Sequence, residues 1–172
     1  MEDGRSKAGR PYKATQRGCW NASSDAKEPA MAQVYFEDVS EGDEIPQLKK
    51  NCSTQQLVLW AAGSGDFYQI HYDKDFAQGT GLKGLIVHGA LKNAFLGQLL
   101  HDWAGEQGQV RRFGCSYRGM DEPNQDILCR GVVKRKYDEG GKHFVELDVW
   151  TEKPDGKKTS PGTAIVTLPS KG

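Results

Sequence analysis

The sequence contains no long apolar run and no excess of charge of either sign. No stretch of eighteen apolar residues occurs and the N-terminus has no apolar signal-peptide core, so the sequence predicts neither a membrane span nor a secretion signal. Lysine plus arginine and aspartate plus glutamate number 23 each, which excludes a broad field that would attract nucleic acid or an anionic membrane. We therefore expect a soluble, cytoplasmic protein whose partner is a small molecule or another protein.

Cysteine is scarce and scattered. No C-x-x-C spacing occurs, and no histidine lies at metal-ligand spacing from a cysteine. This pattern supports neither a zinc site nor a disulfide framework. We expect free thiols in a reducing compartment at all four positions, which are Cys19, Cys52, Cys115 and Cys129.

The first thirty residues differ from the rest of the chain. They show no hydrophobic periodicity and are rich in glycine, serine and mixed charge, a composition that buries too little apolar surface to order itself. We interpret residues 1–30 as a flexible tail or an upstream extension. The remaining residues, 31–172, have the length of a single domain.

Two helices are predicted in the first half of this domain. Residues 53–56 have the form of a capping box, and the apolar residues that follow predict a helix that Gly63 and Gly65 stop. A longer helix is predicted from about Ala90 to Trp103, because apolar residues recur every four positions beside a strip of small residues. We expect it to be buried against a sheet, with its polar residues on the remaining face: Lys92, Asn93 and His101.

The second half of the domain predicts strands. Residues near 110–119, 126–137, 143–152 and 159–168 alternate between apolar and polar positions. Glycine-containing turns separate the last three strands. Helices followed by a run of antiparallel strands predict an α+β fold, in which an antiparallel sheet wraps around one long central helix. The edges of such a sheet favour pairing with a second copy of the chain.

The residues most suited to chemistry lie between positions 63 and 90. Asp66 and His71 are five positions apart, in a loop that we expect to be too tight for ordinary solvent exposure. A carboxylate and an imidazole placed so close can hold one water molecule between them and act as acid and base. This pair predicts a reaction that adds or removes water.

The addition of water to a double bond requires an electron sink and a donor for the developing negative charge. A conjugated thioester carbonyl is such a sink, and a backbone N–H can hold its oxygen. We predict that Asp66 activates the water and that His71 protonates the carbon or shares the water. Gly89, at the start of the long helix, would supply the N–H, because the first amides of a helix lack partners within it.

Residues 64–73, SGDFYQIHYD, followed by Ala77 and by residues 84–89, GLIVHG, resemble the signature of the MaoC-like, (R)-specific enoyl-CoA hydratase family. The resemblance extends over nearly all of the chain from Met31. It implies a hot-dog fold, usually dimeric, in a lyase of fatty acid metabolism that hydrates trans-2-enoyl thioesters of coenzyme A or an acyl carrier protein by syn addition, without metal or cofactor. The matching positions are Asp66 and His71 as the catalytic pair and Gly89 as the oxyanion donor.

The chain departs from this family in one place. The family usually has Asn-Pro where this chain has Tyr68-Gln69. Tyr68 can still donate a hydrogen bond, but its larger side chain is expected to narrow the acyl pocket. We interpret His88 as a residue at the helix start that is structural or borders the same pocket.

Two other functions remain open at this stage. The same fold supports thioester hydrolysis, and the departure at Tyr68-Gln69 leaves open a low-activity acyl-binding subunit of a hetero-oligomeric dehydratase. The basic residues of 111–112 and 134–136 are interpreted as solvated strand faces, with a role in holding coenzyme phosphates left open.

Overall fold

The computed structural model describes residues 33–172. The predicted tail, residues 1–30, and Cys19 lie outside the described residues. Within them, no helix has the length and apolar character needed to cross a membrane. The helices are α1 (Thr54–Ser64), α2 (Lys74–Gly79) and α3 (Gly89–Ala104), and the strands are β1 (Leu48–Asn51), β2 (Gln109–Cys115), β3 (Asp126–Glu139), β4 (Lys142–Glu152) and β5 (Lys158–Leu168).

The five strands form one antiparallel sheet in the order β1-β3-β4-β5-β2. The alternation that predicted β4 is also its burial pattern: Val145, Leu147 and Val149 are buried, and the residues between them are partly exposed. Helix α3 packs on the face formed by these buried side chains. The predicted α+β class is therefore confirmed, with strands β1 and β2 at the edges of the sheet.

Glycines close the two predicted hairpins. Gly140 and Gly141 join β3 to β4 with φ angles of 56° and 72°, and Gly156 lies between β4 and β5 with φ of 83°. These angles fall in the left-handed region, which glycine enters without the steric strain of a Cβ. The tight turns fix the register of β3, β4 and β5.

Helix α1 begins as the sequence predicts. Its N-cap residue Ser53 accepts a hydrogen bond from the Gln56 N–H at 3.1 Å, which satisfies one of the free amides of the first turn. Of the two predicted stop residues, Gly65 is confirmed and Gly63 is wrong, because the helix runs to Ser64 and ends at Gly65, whose φ is 77°. A left-handed residue ends a helix, whereas a glycine in helical conformation only weakens it.

Helix α3 is longer and more deeply buried than predicted. Its apolar residues Leu91, Phe95 and Leu99 are buried. The small-residue strip lies on the other side, since Ala90 and Ala94 are exposed. The prediction that Lys92 lies on a polar face is wrong: only 1% of Lys92 is exposed. A buried ammonium needs a partner, and this one has two.

The partners of Lys92 lie in the connection between β2 and β3. Its Nζ donates to Asp121 Oδ2 and to the carbonyl oxygen of Gly119, both at 2.8 Å. The side chains of Lys92 and Asp121 are each 2% exposed. The ion pair therefore fixes the β2–β3 connection to the first turns of α3.

The described cysteines are free thiols, as predicted. Cys52 and Cys129 are fully buried, and Cys115 is half-buried. Burial raises the pKa of Cys52 to about 11 and that of Cys129 to about 12. Both thiols are consequently protonated at neutral pH and act as small apolar side chains.

Candidate active site

The loop between α1 and α2 carries the predicted catalytic pair. Asp66 follows the C-cap of α1, and its carboxylate accepts the Tyr68 N–H at 3.4 Å. His71 closes a short 3-10 turn, Gln69–His71. Asp73 then caps α2 by accepting the Phe76 N–H at 3.0 Å. These local hydrogen bonds turn the chain back so that two side chains five residues apart face each other.

The carboxylate of Asp66 lies close to two imidazoles. One ligand-type atom from each of Asp66, His71 and His88 lies within 4.8 Å of the others. A gap of this size between a carboxylate oxygen and a ring nitrogen can be bridged by one water molecule. The expectation of a loop closed to solvent is wrong for Asp66, which is exposed, because no described element of the chain covers the end of α1.

His71 is buried and oriented by the backbone. It is 6% exposed, and its Nδ1 is 2.8 Å from the carbonyl oxygen of Ile86. A carbonyl only accepts hydrogen bonds, so Nδ1 carries the proton in this contact. The tautomer protonated at Nδ1 presents Nε2 as an acceptor for a water or a substrate proton.

His88 lies behind His71. The two rings stack at 3.7 Å between centroids with an interplanar angle of 21°. His88 is fully buried and neither ring nitrogen has a hydrogen-bond partner within residues 33–172. Burial lowers the pKa of His88 most, and the neighbouring His71 lowers it further. The backbone and the charge of Asp66 raise this pKa, but by less. His88 is therefore a neutral ring that supports one face of His71.

Asp66, His71 and His88 are also residue types that bind metal ions. A ring nitrogen binds a metal ion through a lone pair in the plane of the ring. The rings of His71 and His88 are nearly parallel and 3.7 Å apart, so their lone pairs do not converge on one point. The donor set does not fit a metal ion in this arrangement.

A cleft of about 650 Å³ opens beside His71 and the start of α3. Its wall comes from the loop before α3, the first turns of α3, the β2–β3 connection and the β4–β5 hairpin. Neither Asp66 nor His88 lines this cleft. The residues that do are His71, Gly81, Leu82, Lys83, Gly84, Ile86, Val87, Gly89, Lys92, Tyr117, Arg118, Gly119, Met120, Glu122, Lys153 and Lys157.

Gly89 is the first residue of α3 and lines the cleft. Within the described residues its N–H has no backbone acceptor, as expected for the first turn of a helix. The ring of Tyr117 lies against it: a Cβ at position 89 would stand 2.6 to 2.8 Å from three ring carbons. Only glycine fits beneath this ring, and its amide is left at the cleft wall.

Tyr68 lies on the other side of His71. Its ring meets the His71 ring edge to face at 6.3 Å and the Phe76 ring at 6.1 Å. Tyr68 is 54% exposed and does not line the cleft. Its contact with an acyl chain stays a prediction, as does that of His88.

Several residues around the cleft were not singled out by the sequence. Lys92 follows His88 by four positions and precedes Leu96 by four, so its place on the buried stripe could have been found from helical spacing. Tyr117 gives no such signal, because its contact with Gly89 joins segments far apart in the chain. The other basic residues of the cleft come from three separate segments and form a group only in the folded protein.

Comparison with known proteins identifies relatives of this chain. The family model described as "MaoC like domain" matches residues 38–153. The (R)-specific enoyl-CoA hydratase of Rhodospirillum rubrum is 30% identical over 143 residues, which is 80% of this chain and 94% of that protein. Fatty acid synthase beta subunit TOXC of Cochliobolus carbonum is 36% identical over 78 residues, which is 44% of this chain but only 4% of that protein.

A solved structure shows the same architecture. The (R)-hydratase from A. caviae involved in PHA biosynthesis superimposes with a TM-score of 0.71 over 77% of this chain and 99% of that one. The two sequences are 23% identical, so this likeness concerns the fold. The predicted hot-dog fold is confirmed.

Proposed function

Because the chain belongs to the MaoC-like family, we propose that it is a hydro-lyase that catalyses the reversible syn hydration of trans-2-enoyl thioesters. The observation that carries the proposal is the approach of the Asp66 carboxylate to a ring nitrogen of His71 within 4.8 Å. His71 also lines the cleft that contains Gly89. Fatty acid metabolism and a cytoplasmic location are part of this proposal.

In the proposed mechanism, one water molecule bridges Asp66 and His71. Asp66 accepts a proton from the water while the water oxygen attacks the β-carbon of the enoyl group. His71 receives a hydrogen bond from the same water at Nε2, because Nδ1 is held by the carbonyl of Ile86. Asp66 then delivers this proton to the α-carbon on the same face of the double bond. One water is consumed and no net proton is released.

The electron pair of the double bond moves onto the thioester oxygen during the attack. The N–H of Gly89 is the proposed donor to this oxygen, and the N-terminal end of α3 favours the negative charge that develops there. When the α-carbon is protonated, the carbonyl reforms. The reverse sequence dehydrates a 3-hydroxyacyl thioester through the same groups.

The test is the activity of Asp66→Asn and His71→Ala on a short trans-2-enoyl-CoA, followed as loss of the conjugated absorbance. Each substitution is expected to lower kcat by about 10²- to 10⁴-fold, the usual effect of removing a positioned acid or base. Asp75→Asn and His101→Ala are matched controls, because both residues are exposed on helices away from the cleft. Full activity of either site variant would refute the assignment.

The same assay separates the two other functions. A thioesterase would release free thiol from a saturated acyl-CoA without any change in enoyl absorbance. An acyl-binding subunit would show no hydration alone but would restore it with a second, different chain of the same fold. Replacing Tyr68-Gln69 by Asn-Pro tests whether this pair limits turnover, since the activity of the variant would then rise.

We also propose that the working form is a homodimer. Phe67 and Tyr68, which follow Asp66 in the chain, and Phe76, whose ring contacts that of Tyr68, are exposed, and a grouped apolar surface favours burial against another chain. A second copy placed there would close the exposed side of Asp66. Sedimentation velocity would show a dimer of twice the 19.0 kDa chain, and a monomer with full activity would contradict this.

A further inference from the structure

The cleft beside His71 is lined by five cationic side chains and one carboxylate, and one of the cations, Lys92, is already paired with Asp121. Lys83, Arg118, Lys153 and Lys157 supply the remaining positive charge, and Glu122 supplies the negative charge. The whole chain has a formal net charge of zero. The excess of positive charge in this cleft is therefore a local feature that the composition does not explain.

The backbones that carry these cations are held by hydrogen bonds. In the β4–β5 hairpin, the Lys153 N–H donates to the Lys157 carbonyl at 3.0 Å, and the Gly156 N–H donates to the Lys153 carbonyl at 2.9 Å. The Asp155 carboxylate accepts the Lys157 N–H at 3.0 Å, so it stabilises the turn. The Arg118 N–H donates to the Thr159 carbonyl at 2.9 Å.

None of the four cations forms an ion pair with a carboxylate within residues 33–172. Basic side chains elsewhere do: Lys49 pairs with Asp126, and Arg130 pairs with Glu152. The cleft cations are mostly exposed and converge on one concave site. Such an arrangement attracts an anion that reaches several of them at once.

We propose that Lys83, Arg118, Lys153 and Lys157 bind the phosphates of a coenzyme A thioester. The inference rests on the proposed function, and it selects coenzyme A as the thiol carrier. The adenosine portion of coenzyme A carries a diphosphate and a 3′-phosphate, which match cations from three segments. A carrier protein would bring only the phosphodiester of its prosthetic group into a cleft of about 650 Å³.

The basic runs on the strands do not contribute to this site. Arg111 and Arg112 are exposed on β2, Lys134 and Arg135 are exposed on β3, and none of them lines the cleft. Lys136 donates to the carbonyl of Phe36 at 2.6 Å. The sequence left open a role in phosphate binding for these strand residues. We assign that role to the four cleft cations instead.

The first experiment compares a trans-2-enoyl-CoA with the enoyl thioester of pantetheine, which lacks every phosphate. In the triple variant Lys83→Gln, Lys153→Gln, Lys157→Gln, kcat/KM for the coenzyme A thioester is expected to fall about 30-fold, or about 3-fold per lysine. For the pantetheine thioester it should fall by less than about 3-fold. A control variant carries the same change at exposed lysines outside the cleft: Lys74, Lys134 and Lys142.

The second experiment measures binding without turnover. Adenosine 3′-phosphate 5′-diphosphate is titrated into the full chain by calorimetry, and its affinity should be lost in the triple variant and kept in the control variant. Added salt should weaken this binding, because exposed charges are screened.

The outcomes separate the inference from the proposed function. Binding of the nucleotide without hydration would overturn the proposed function and support the phosphate site. Hydration of both thioesters with equal kcat/KM, without nucleotide binding, would overturn the phosphate site and leave the hydratase standing. A strong preference for an acyl carrier protein thioester, with no advantage of coenzyme A over pantetheine, would also overturn it.

Discussion

Two buried polar pairs flank the start of α3, and they differ in whether opposite charge holds the two side chains together. Lys92 and Asp121 meet at 2.8 Å with side chains that are each 2% exposed. His71 and His88 stack at 3.7 Å, but both ring nitrogens of His88 lack a hydrogen-bond partner in the described part of the chain. One pair is closed by opposite charge, although Asp121 Oδ1 has no hydrogen-bond partner among the described residues. The other pair has no opposite charge between its rings and is open toward Asp66.

The Lys92–Asp121 pair builds the wall of the site, and the histidine pair provides the group that can accept a proton. The Lys92–Asp121 pair holds the β2–β3 connection, and the Asp121 carbonyl accepts the Val87 N–H at 2.8 Å. This pair therefore sets the wall of the cleft on both sides of Gly89. The histidine pair leaves Nε2 of His71 available, which is what a proton acceptor requires.

Breaking the closed pair should have the largest effect on stability. Lys92→Met leaves the Asp121 carboxylate buried without its cation, and removal of one member of a buried ion pair typically destabilises a protein by about 3–5 kcal/mol. The free energy of unfolding would be measured by urea denaturation. The double variant Lys92→Met, Asp121→Leu removes both charges and should recover most of the loss.

The double variant decides whether the pair acts as a unit. If the losses measured for Lys92→Met alone and for Asp121→Leu alone simply add in the double variant, the ion pair is not the source of the stability. The contrast with the histidine pair then fails. Lys49→Met is a suitable control, because its ion pair with Asp126 lies at the surface and such pairs contribute about 0–1 kcal/mol.

An intermediate effect is expected from Gly89→Ala. The added methyl would lie 2.6 to 2.8 Å from the Tyr117 ring, and overpacking of this kind typically destabilises by about 1–3 kcal/mol. Gly84→Ala is the matched control, since a Cβ there has no neighbour within 4 Å. The second-site change Tyr117→Ala should restore the stability of Gly89→Ala, and failure to do so would show that the ring contact is not the cause.

The smallest effect concerns the open pair and pH. The pKa of His88 is lowered in the folded protein by burial and by His71, so the unfolded chain binds a proton that the folded chain does not. Stability from this residue is full above about pH 6.5 and falls as the pH decreases below it, by at most about 1.4 kcal/mol per pH unit.

The residue itself can be tested with His88→Phe, which keeps an aromatic ring against His71 and removes the titratable group. The slope of unfolding free energy between about pH 6.5 and 5 should become shallower in this variant. An identical slope in His88→Phe and the unmodified protein would contradict the neutral state of His88.

The sequence predicted those features whose causes are local. Alternation placed Val145, Leu147 and Val149 on the buried face of β4, and the cap at Ser53 located the start of α1. The approach of Asp66 to His71 could also be predicted, because both lie in one short loop.

The features that the sequence did not predict depend on partners far along the chain. Lys92 is buried because Asp121, 29 residues away, supplies its counter-charge. Tyr117 reaches Gly89 only after β2 has joined the sheet, and Lys153 and Lys83 line one cleft only after the hairpin has formed. No window of neighbouring residues contains this information.

The ring of Tyr117 over Gly89 has a consequence for how sequence variation at this position is interpreted. A library randomised at position 89 and selected for folding alone should return glycine, whether or not its amide ever meets a substrate oxygen. An invariant glycine at position 89 is therefore explained by the steric limit alone and is not by itself evidence of a catalytic role. In a Tyr117→Ala background that limit disappears, and any remaining selection for glycine would measure the demand of the reaction by itself.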